Sequence, residues 1–337
     1  MRSYLFLIIS IFFSFSCRED FYISTTFEHN ALWVANSAEN TVTYIDRLTD
    51  EVKGTYPVGL YPSRTAVDLD GNCWVGNRNA TTVHFVKRDG TSVVLDGFNA
   101  ARGVALDKDG NVWIANSGNQ TIQKITIISD TSFDVSQQVA ITDGVYLYGA
   151  LVDAENYLWI ADNYGSKIYR YKTESFPDNS AASLVVIPLS GIYGFTLDTN
   201  GKVWVAGYNS PTLTKIDAKT ATIDKVYNIS GLPNYIGIAC DISNNVWIGC
   251  DPGNAVMKFD PITETFEVFS IGAESGPHGV AADDRGYVYT VNFGSTSVCK
   301  ICSRNGEVKK VYKVGSQPYT YSDLTGFIYR KVTLGLK

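Results

Sequence analysis

Gly110-Asn111-Val112-Trp113-Ile114-Ala115-Asn116 recurs along almost the whole chain. The copies centre on Trp33, Trp74, Trp113, Trp159, Trp204 and Trp247, and Tyr289 holds the same slot in a seventh. All six tryptophans of the 337 residues sit at this one position. Successive spacings are 41, 39, 46, 45, 43 and 42 residues. A period near forty marks a repeat architecture.

Working outward from Trp113, Gly103-Val104-Ala105-Leu106 reads as a short apolar strand. Asp107-Lys108-Asp109-Gly110-Asn111 is a tight turn, with Gly supplying a positive φ. Val112–Ala115 is apolar throughout, so it is buried on both faces. Residues 121–125 alternate as a third strand, and a more variable fourth follows near residues 135–141. Four antiparallel strands in about 42 residues, repeated, predict an all-β propeller. A small residue follows each Trp by two places (Ala35, Gly76, Ala115, Ala161, Ala206, Gly249), which suits close packing of neighbouring sheets. The Trp row is therefore expected in the core.

The blade number follows from a second register. Asp stands six residues before the slot as Asp68, Asp107, Asp153, Asp198, Asp241 and Asp283, but Phe27 precedes Trp33. The missing Asp recurs as Asp323 in the C-terminal stretch at residues 318–329. The expectation is a seven-bladed β-propeller of four-stranded antiparallel blades, with the C-terminal segment pairing with the N-terminal strand to close the ring and remove exposed edges. Residues 327–332 read as one more second strand, which leaves an eight-bladed alternative.

Composition narrows the function classes. Charged residues are 18%, Tyr numbers 21, and the net charge is -6. No Lys/Arg cluster exists, so nucleic-acid binding is not expected. Arg2 followed by an apolar run at residues 4–15 reads as a signal segment too short to span a bilayer. Ser16-Cys17 after that run is similar to a bacterial lipobox, with Ser14 in place of the usual Leu. The expected plan is a lipoprotein-type signal peptide at 1–16, lipidation of Cys17, a tether at 18–29 and one propeller domain at 30–337. The alternative is a plain secretory signal cut near Ser16. The location is extracytoplasmic, on a bacterial outer membrane or cell surface, or otherwise periplasmic or secreted; membrane contact is through the anchor alone, and a monomer is expected. Five further cysteines make an odd count, against a complete disulfide framework. Cys299 and Cys302 lie three apart on a strand and so face opposite ways, and Cys240 and Cys250 are expected as buried free thiols.

In a propeller the starts of the inner strands and the ends of the second strands converge on the channel mouth. The residues before the recurring inner-strand Gly are Arg102, Tyr148, Tyr193, Ile236 and His278, with Ser63-Arg64 and Pro318-Tyr319 in the two remaining copies. Three residues after the Trp slot come Asn36, Asn77, Asn116, Asp162, Gly207, Cys250 and Asn292, followed by Arg78, Asn163, Tyr208 and Asp251 in four copies. The candidate ligand-binding set is Arg64, Arg78, Arg102, Tyr148, Tyr193, His278, Asn116, Asp162 and Asn292. It suits a small anionic or sugar-like ligand, or an envelope protein's acidic loop, with no cofactor. Polar strand ends also satisfy backbone groups, which is the competing role for the Asn/Asp ring. His29 and His84 fall away from the mouth.

The segments at residues 103–116 and 276–283 resemble the repeat of streptogramin (virginiamycin B) lyase-like and NHL-type propellers, over about residues 30–330. The resemblance implies a propeller and, for a true lyase, a magnesium-dependent site with His in Pro-His-Gly segments and Glu after the Trp strand. Only Pro277-His278-Gly279 matches that pattern; Asn292 stands in the Glu slot, Gly276 in the preceding acidic position, and Tyr235-Ile236-Gly237 has no His. The alternative reading is thus a lyase or lactonase with His278 as catalytic base and Asp162 and Asp251 as ligands of Mg or Ca. Gluconolactonase-like propellers, which hold calcium with acidic and amide side chains, would have Arg102 and tyrosines here at comparable positions.

Overall fold

A computed structural model describes residues 29–208, 210–229, 234–251 and 253–336. The signal segment, Cys17 and all but residue 29 of the tether fall outside the described residues. Seven antiparallel sheets follow one another along the chain. The one at residues 101–140 is typical: Ala101–Leu106 pairs with Val112–Asn116, which pairs with Thr121–Ser129, whose outer partners are Ser132–Val135 and Val139–Ala140. Blade one has only three regular strands, Ala31–Asn36, Thr41–Asp46 and Glu51–Pro57. Its inner edge is covered by the C-terminal segment. Ser37 N donates to Gln317 O (3.0 Å), Tyr319 N to Ala35 O (2.9 Å) and Trp33 N to Leu324 O (3.0 Å). Ala35 N instead takes the Thr320 hydroxyl (2.6 Å), which interrupts the ladder and leaves a single bridge, Asn36 to Pro318. The chain ends close a ring of seven.

Residues 327–332 form no eighth blade. Ile328–Thr333 is a wide helical turn, with Leu334 N donating to Tyr329 O (2.9 Å). It crosses the channel floor, where Phe327, Tyr329 and Val332 each enter the core beneath a different blade. Thr333 Oγ1 donates to Val152 O at 2.7 Å.

The recurring Asp and Trp prove to be one device. One Asp107 oxygen caps the turn by accepting Asp109 N (3.0 Å) and Asn111 N (2.9 Å); the other accepts Trp113 Nε1 at 2.8 Å. Asp153, Asp198 and Asp241 hold Trp159, Trp204 and Trp247 in the same way, at 2.7, 2.9 and 2.8 Å. Each indole is fully buried, so its N–H needs a partner, and the carboxylate supplies one while fixing the turn. Trp33, with no Asp before it, donates to Gly71 O at 2.9 Å. Cys240 and Cys250 are buried and free; they pair with Val246 and Tyr235 at opposite ends of their hairpin.

Asp68 is the exception, because among the described residues Trp74 Nε1 has no partner and the Asp68 oxygens bond Asp70 and Asn72 alone. Burial raises the Asp68 pKa from 3.8 to about 6. A carboxyl with a raised folded-state pKa contributes stability that is complete below 3.8 and lost as pH rises through 6. The two values correspond to up to about 3 kcal/mol. Replacing Asp68 with Asn should therefore flatten the fall in melting temperature between acid and neutral pH. Identical pH profiles for the two proteins would refute this.

Candidate functional site

Each inner strand carries one extra residue near its start. Ala101 pairs with Asn116 and Gly103 with Ala115, so Arg102 has no partner across the ladder. Tyr148, Tyr193, His278 and Ser63 are left out in the same manner. A bulge re-aims its side chain, and here it turns successive side chains into the channel mouth. The following Gly lets adjacent inner strands close up: a Cβ on Gly279 would lie 1.6 Å from Thr320 O. Five copies have Gly there, whereas blade two has Arg64 and the closing segment Tyr319.

These side chains form one packed layer. The Arg64 guanidinium lies 3.1 Å from the Tyr321 ring centre and 4.8 Å from that of Tyr148, and donates to Tyr148 O at 2.9 Å. Arg102 lies over Tyr148 (4.4 Å) and Tyr146 (5.5 Å). Arg78 lies over Tyr319 at 4.3 Å and Tyr61 at 5.4 Å. Tyr148 Oη and Tyr193 Oη each stand 3.0 Å from Tyr319 Oη, and Tyr193 Oη is 3.3 Å from His278 Nε2. His278 is buried, which lowers its pKa and keeps it neutral; Asp251, 3.6 Å from Nδ1, pulls the other way.

The Asn/Asp ring does not join this layer. Both Asp162 oxygens accept backbone N–H groups, from Val145, Tyr146 and Gly165, at 2.8–2.9 Å. Asn116 bonds Asn99 N, Thr121 and Gln123, and Asn292 bonds Ser297 and Cys299. Asp162 and Asn116 hold loops, because a strand end leaves amide groups that a short polar side chain satisfies, whereas Asn292 ties its strand to the side chains of the next. The arrangement also does not fit a divalent metal. Among the described residues no three His, Cys, Asp or Glu side chains are placed to hold an ion, Asp162 is committed to backbone, and the charges of Arg64 and Arg78 act on His278. A cavity of ≈ 280 Å³ opens on the opposite face beside Val332. Its Asp153 and Asp198 already hold turns and tryptophans, and its Asp217 holds Lys202 at 2.7 Å.

Residues 98–125 match the NHL repeat. Solved structures extend the likeness to the ring. Virginiamycin B lyase from Staphylococcus aureus superposes with a TM-score of 0.63 at 16% identity, over 75% of this chain and 84% of that one. A streptogramin B lyase gives 0.67 at 16%, over 80% and 92%. Hydrazine synthase from Kuenenia stuttgartiensis gives 0.69 at 18%, over 82% and 93%. No curated protein matches the sequence. At such identities the likeness establishes the propeller, and proteins named for different reactions share it.

The mouth thus unites Arg64, Arg78, Arg102, Tyr148, Tyr193 and His278 from the candidate set. Tyr321, the ring under Arg64, was not in it. Its signal was present: the same register holds Ala66, Ala105, Leu151, Thr196, Ala239 and Ala281 elsewhere.

Proposed function

We propose that the protein is an extracytoplasmic recognition module that binds a small anionic ligand at the channel mouth. One observation carries this reading. Arg64, Arg78 and Arg102 have no carboxylate within 4.0 Å among the described residues. Nη1 of Arg64 and both Nε and Nη1 of Arg102 are buried without a hydrogen-bond partner among the described residues. Tyrosine faces recover about 2 kcal/mol for a desolvated cation, less than the several kcal/mol that an unpaired buried ion costs. An anion accepting those N–H groups supplies the missing partner, and the surrounding rings suit a ligand with a flat or sugar-like body. The apolar segment at residues 4–15 and Cys17 support a lipid-anchored placement outside the cytoplasm.

Thermal shift with phosphate, citrate and sugar acids tests this directly, since a ligand of the folded state raises the melting temperature. Charge-assisted hydrogen bonds of roughly 1.5–3 kcal/mol predict a loss of about 10- to 100-fold in affinity in Arg102→Met or Arg64→Met, whose side chains keep an aliphatic stem. An anion-insensitive wild-type protein, or variants that bind as tightly as it does, would overturn the assignment.

A further inference from the structure

Blade four breaks the repeat at the channel mouth with an exposed ring. Five residues after the Trp slot the copies read Ala38, Asn79, Gly118, Tyr164, Asn209, Pro252 and Gly294. Six blades are built without an aromatic there, so the fold does not call for Tyr164, yet it stands 73% exposed. Tyr164 packs on Tyr146 with ring centres 5.0 Å apart, and the Tyr146 ring lies 5.5 Å from the buried guanidinium of Arg102. Two rings and a cation thus form one row from solvent into the packed layer. Asp162 fixes that row, and it is the one acid in a slot that is otherwise Asn, Gly or Cys. Its two oxygens accept Val145 N, Tyr146 N and Gly165 N at 2.8–2.9 Å, while Asn163 N donates to Tyr146 O at 3.2 Å. A carboxylate accepts at both oxygens, whereas an amide has one acceptor oxygen. Asp162 therefore clamps the loop of Tyr146 to the loop of Tyr164 and is a positioning residue for both rings.

The packing of the mouth limits what this row can take. Tyr146 lies 5.8 Å from Tyr148, Tyr148 5.1 Å from Tyr193, and Tyr193 4.9 Å from Tyr208, ring centre to ring centre. Those are distances of direct contact, with no slot between rings for a flat aromatic ligand. A ligand body must lie on the outside of Tyr164 and keep its far side in water. A sugar ring meets that demand: it sets a face of C–H groups on an aromatic ring and leaves its hydroxyls to water and polar side chains. Asn163 stands next to Tyr164, half-buried, and its side-chain amide bonds none of the described residues. Tyr148 and Tyr146 flank Arg102, so its unpartnered N–H groups are what remains for an oxyanion.

We infer that the mouth binds the acidic end of a glycan, a uronic acid whose carboxylate meets Arg102, whose pyranose ring lies on Tyr146 and Tyr164, and one of whose hydroxyls meets the Asn163 amide; this rests on the anion site for the carboxylate and adds a ring subsite on blade four. The two parts have separate sources in the chain. Blade three supplies the charge through its bulged Arg102, and blade four supplies the surface that tells a sugar ring from any other carboxylate.

Calorimetric titration of the full chain with phosphate, D-glucuronate, D-gluconate and benzoate tests this. Gluconate carries the carboxylate and hydroxyls on an open chain, so it lacks only the ring. Glucuronate should bind roughly 3- to 10-fold more tightly than gluconate, the scale of one contact with an aromatic face. That preference should vanish in Tyr164→Ala and persist in Tyr164→Phe, which keeps the ring; the side chain is exposed, so neither change disturbs the core. Equal affinities for glucuronate and gluconate, or a preference that survives Tyr164→Ala, overturn the ring subsite. Benzoate bound more tightly than glucuronate overturns the sugar. In each of those cases bound phosphate leaves the anion site standing. A protein that binds neither phosphate nor any of the three carboxylates overturns the anion site, and the glycan end with it.

Discussion

Deletion of residues 317–337 should abolish cooperative folding, not merely lower the melting temperature. The segment supplies the inner edge of blade one and the floor of the channel. It buries Leu324, Phe327, Tyr329 and Val332 to 6% exposure or less. At roughly 1.5–3 kcal/mol per large apolar side chain, those four contribute about 6–12 kcal/mol. A folded domain's whole margin is about 5–15 kcal/mol. Removal also bares the edge of Ala31–Asn36, an entirely buried strand whose free N–H and C=O groups then invite aggregation. Deleting 326–337 alone separates the two roles, since Ser37, Ala35 and Trp33 keep their partners at Gln317, Tyr319, Thr320 and Leu324. Circular dichroism melts and limited proteolysis should then rank full chain, short deletion and long deletion in that order. A long deletion melting within a few degrees of the full chain would show the tail to be an appendage.

The ring was legible because its determinants are local and repeated. Trp at a period near forty, Asp six residues earlier and Gly in the turn each act within one hairpin, so each copy states them afresh. The mouth was legible for a related reason: the residue before the inner-strand Gly is the bulged one, and bulge and Gly are neighbours in sequence. What sequence could not separate were roles decided by distant surroundings. Residues 327–332 are apolar enough for a strand, and only the floor built by six inner strands and the closing segment makes them a helical plug. Asn116, Asp162 and Asn292 read as channel-facing polar groups. The unpaired amides of Asn99, Val145 and Tyr146, and the side chains of Ser297 and Cys299, draw them away from the mouth. Tyr321 was readable as the one aromatic in its register, but its meaning depends on Arg64, 257 residues earlier and on a different blade.

Arg47→Met should cost about 3–5 kcal/mol, the largest effect of any single substitution at the seam. Arg47 follows the strand Thr41–Asp46 of blade one and reaches across to blade seven. Its Nη1 meets Asp283 Oδ2 at 2.9 Å, with 1% and 0% of the two side chains exposed. Its remaining N–H groups donate to Ala31 O (3.1 Å) and His29 O (3.0 Å). Asp283 is also the Asp of blade seven, capping its turn through Arg285 N and Tyr287 N. In this seventh copy the Tyr289 hydroxyl stands where an indole N–H does elsewhere, 2.9 Å from Oδ2, and shares that oxygen with Arg47. Removing Arg47 leaves a buried carboxylate with its turn bonds and one hydroxyl but no cation. Asp283→Asn alone strands the guanidinium, with Asp284 3.9 Å away as its only other acid among the described residues. The double variant removes both charges, and since a buried ion pair is often no better than its neutral replacement, much of the loss should return. Urea unfolding of the four proteins measures the coupling between the two positions. A coupling under about 1 kcal/mol would mean that Arg47 acts through its carbonyl bonds to the N-terminal strand, and that hydrophobic closure by the tail holds the seam without the ion pair.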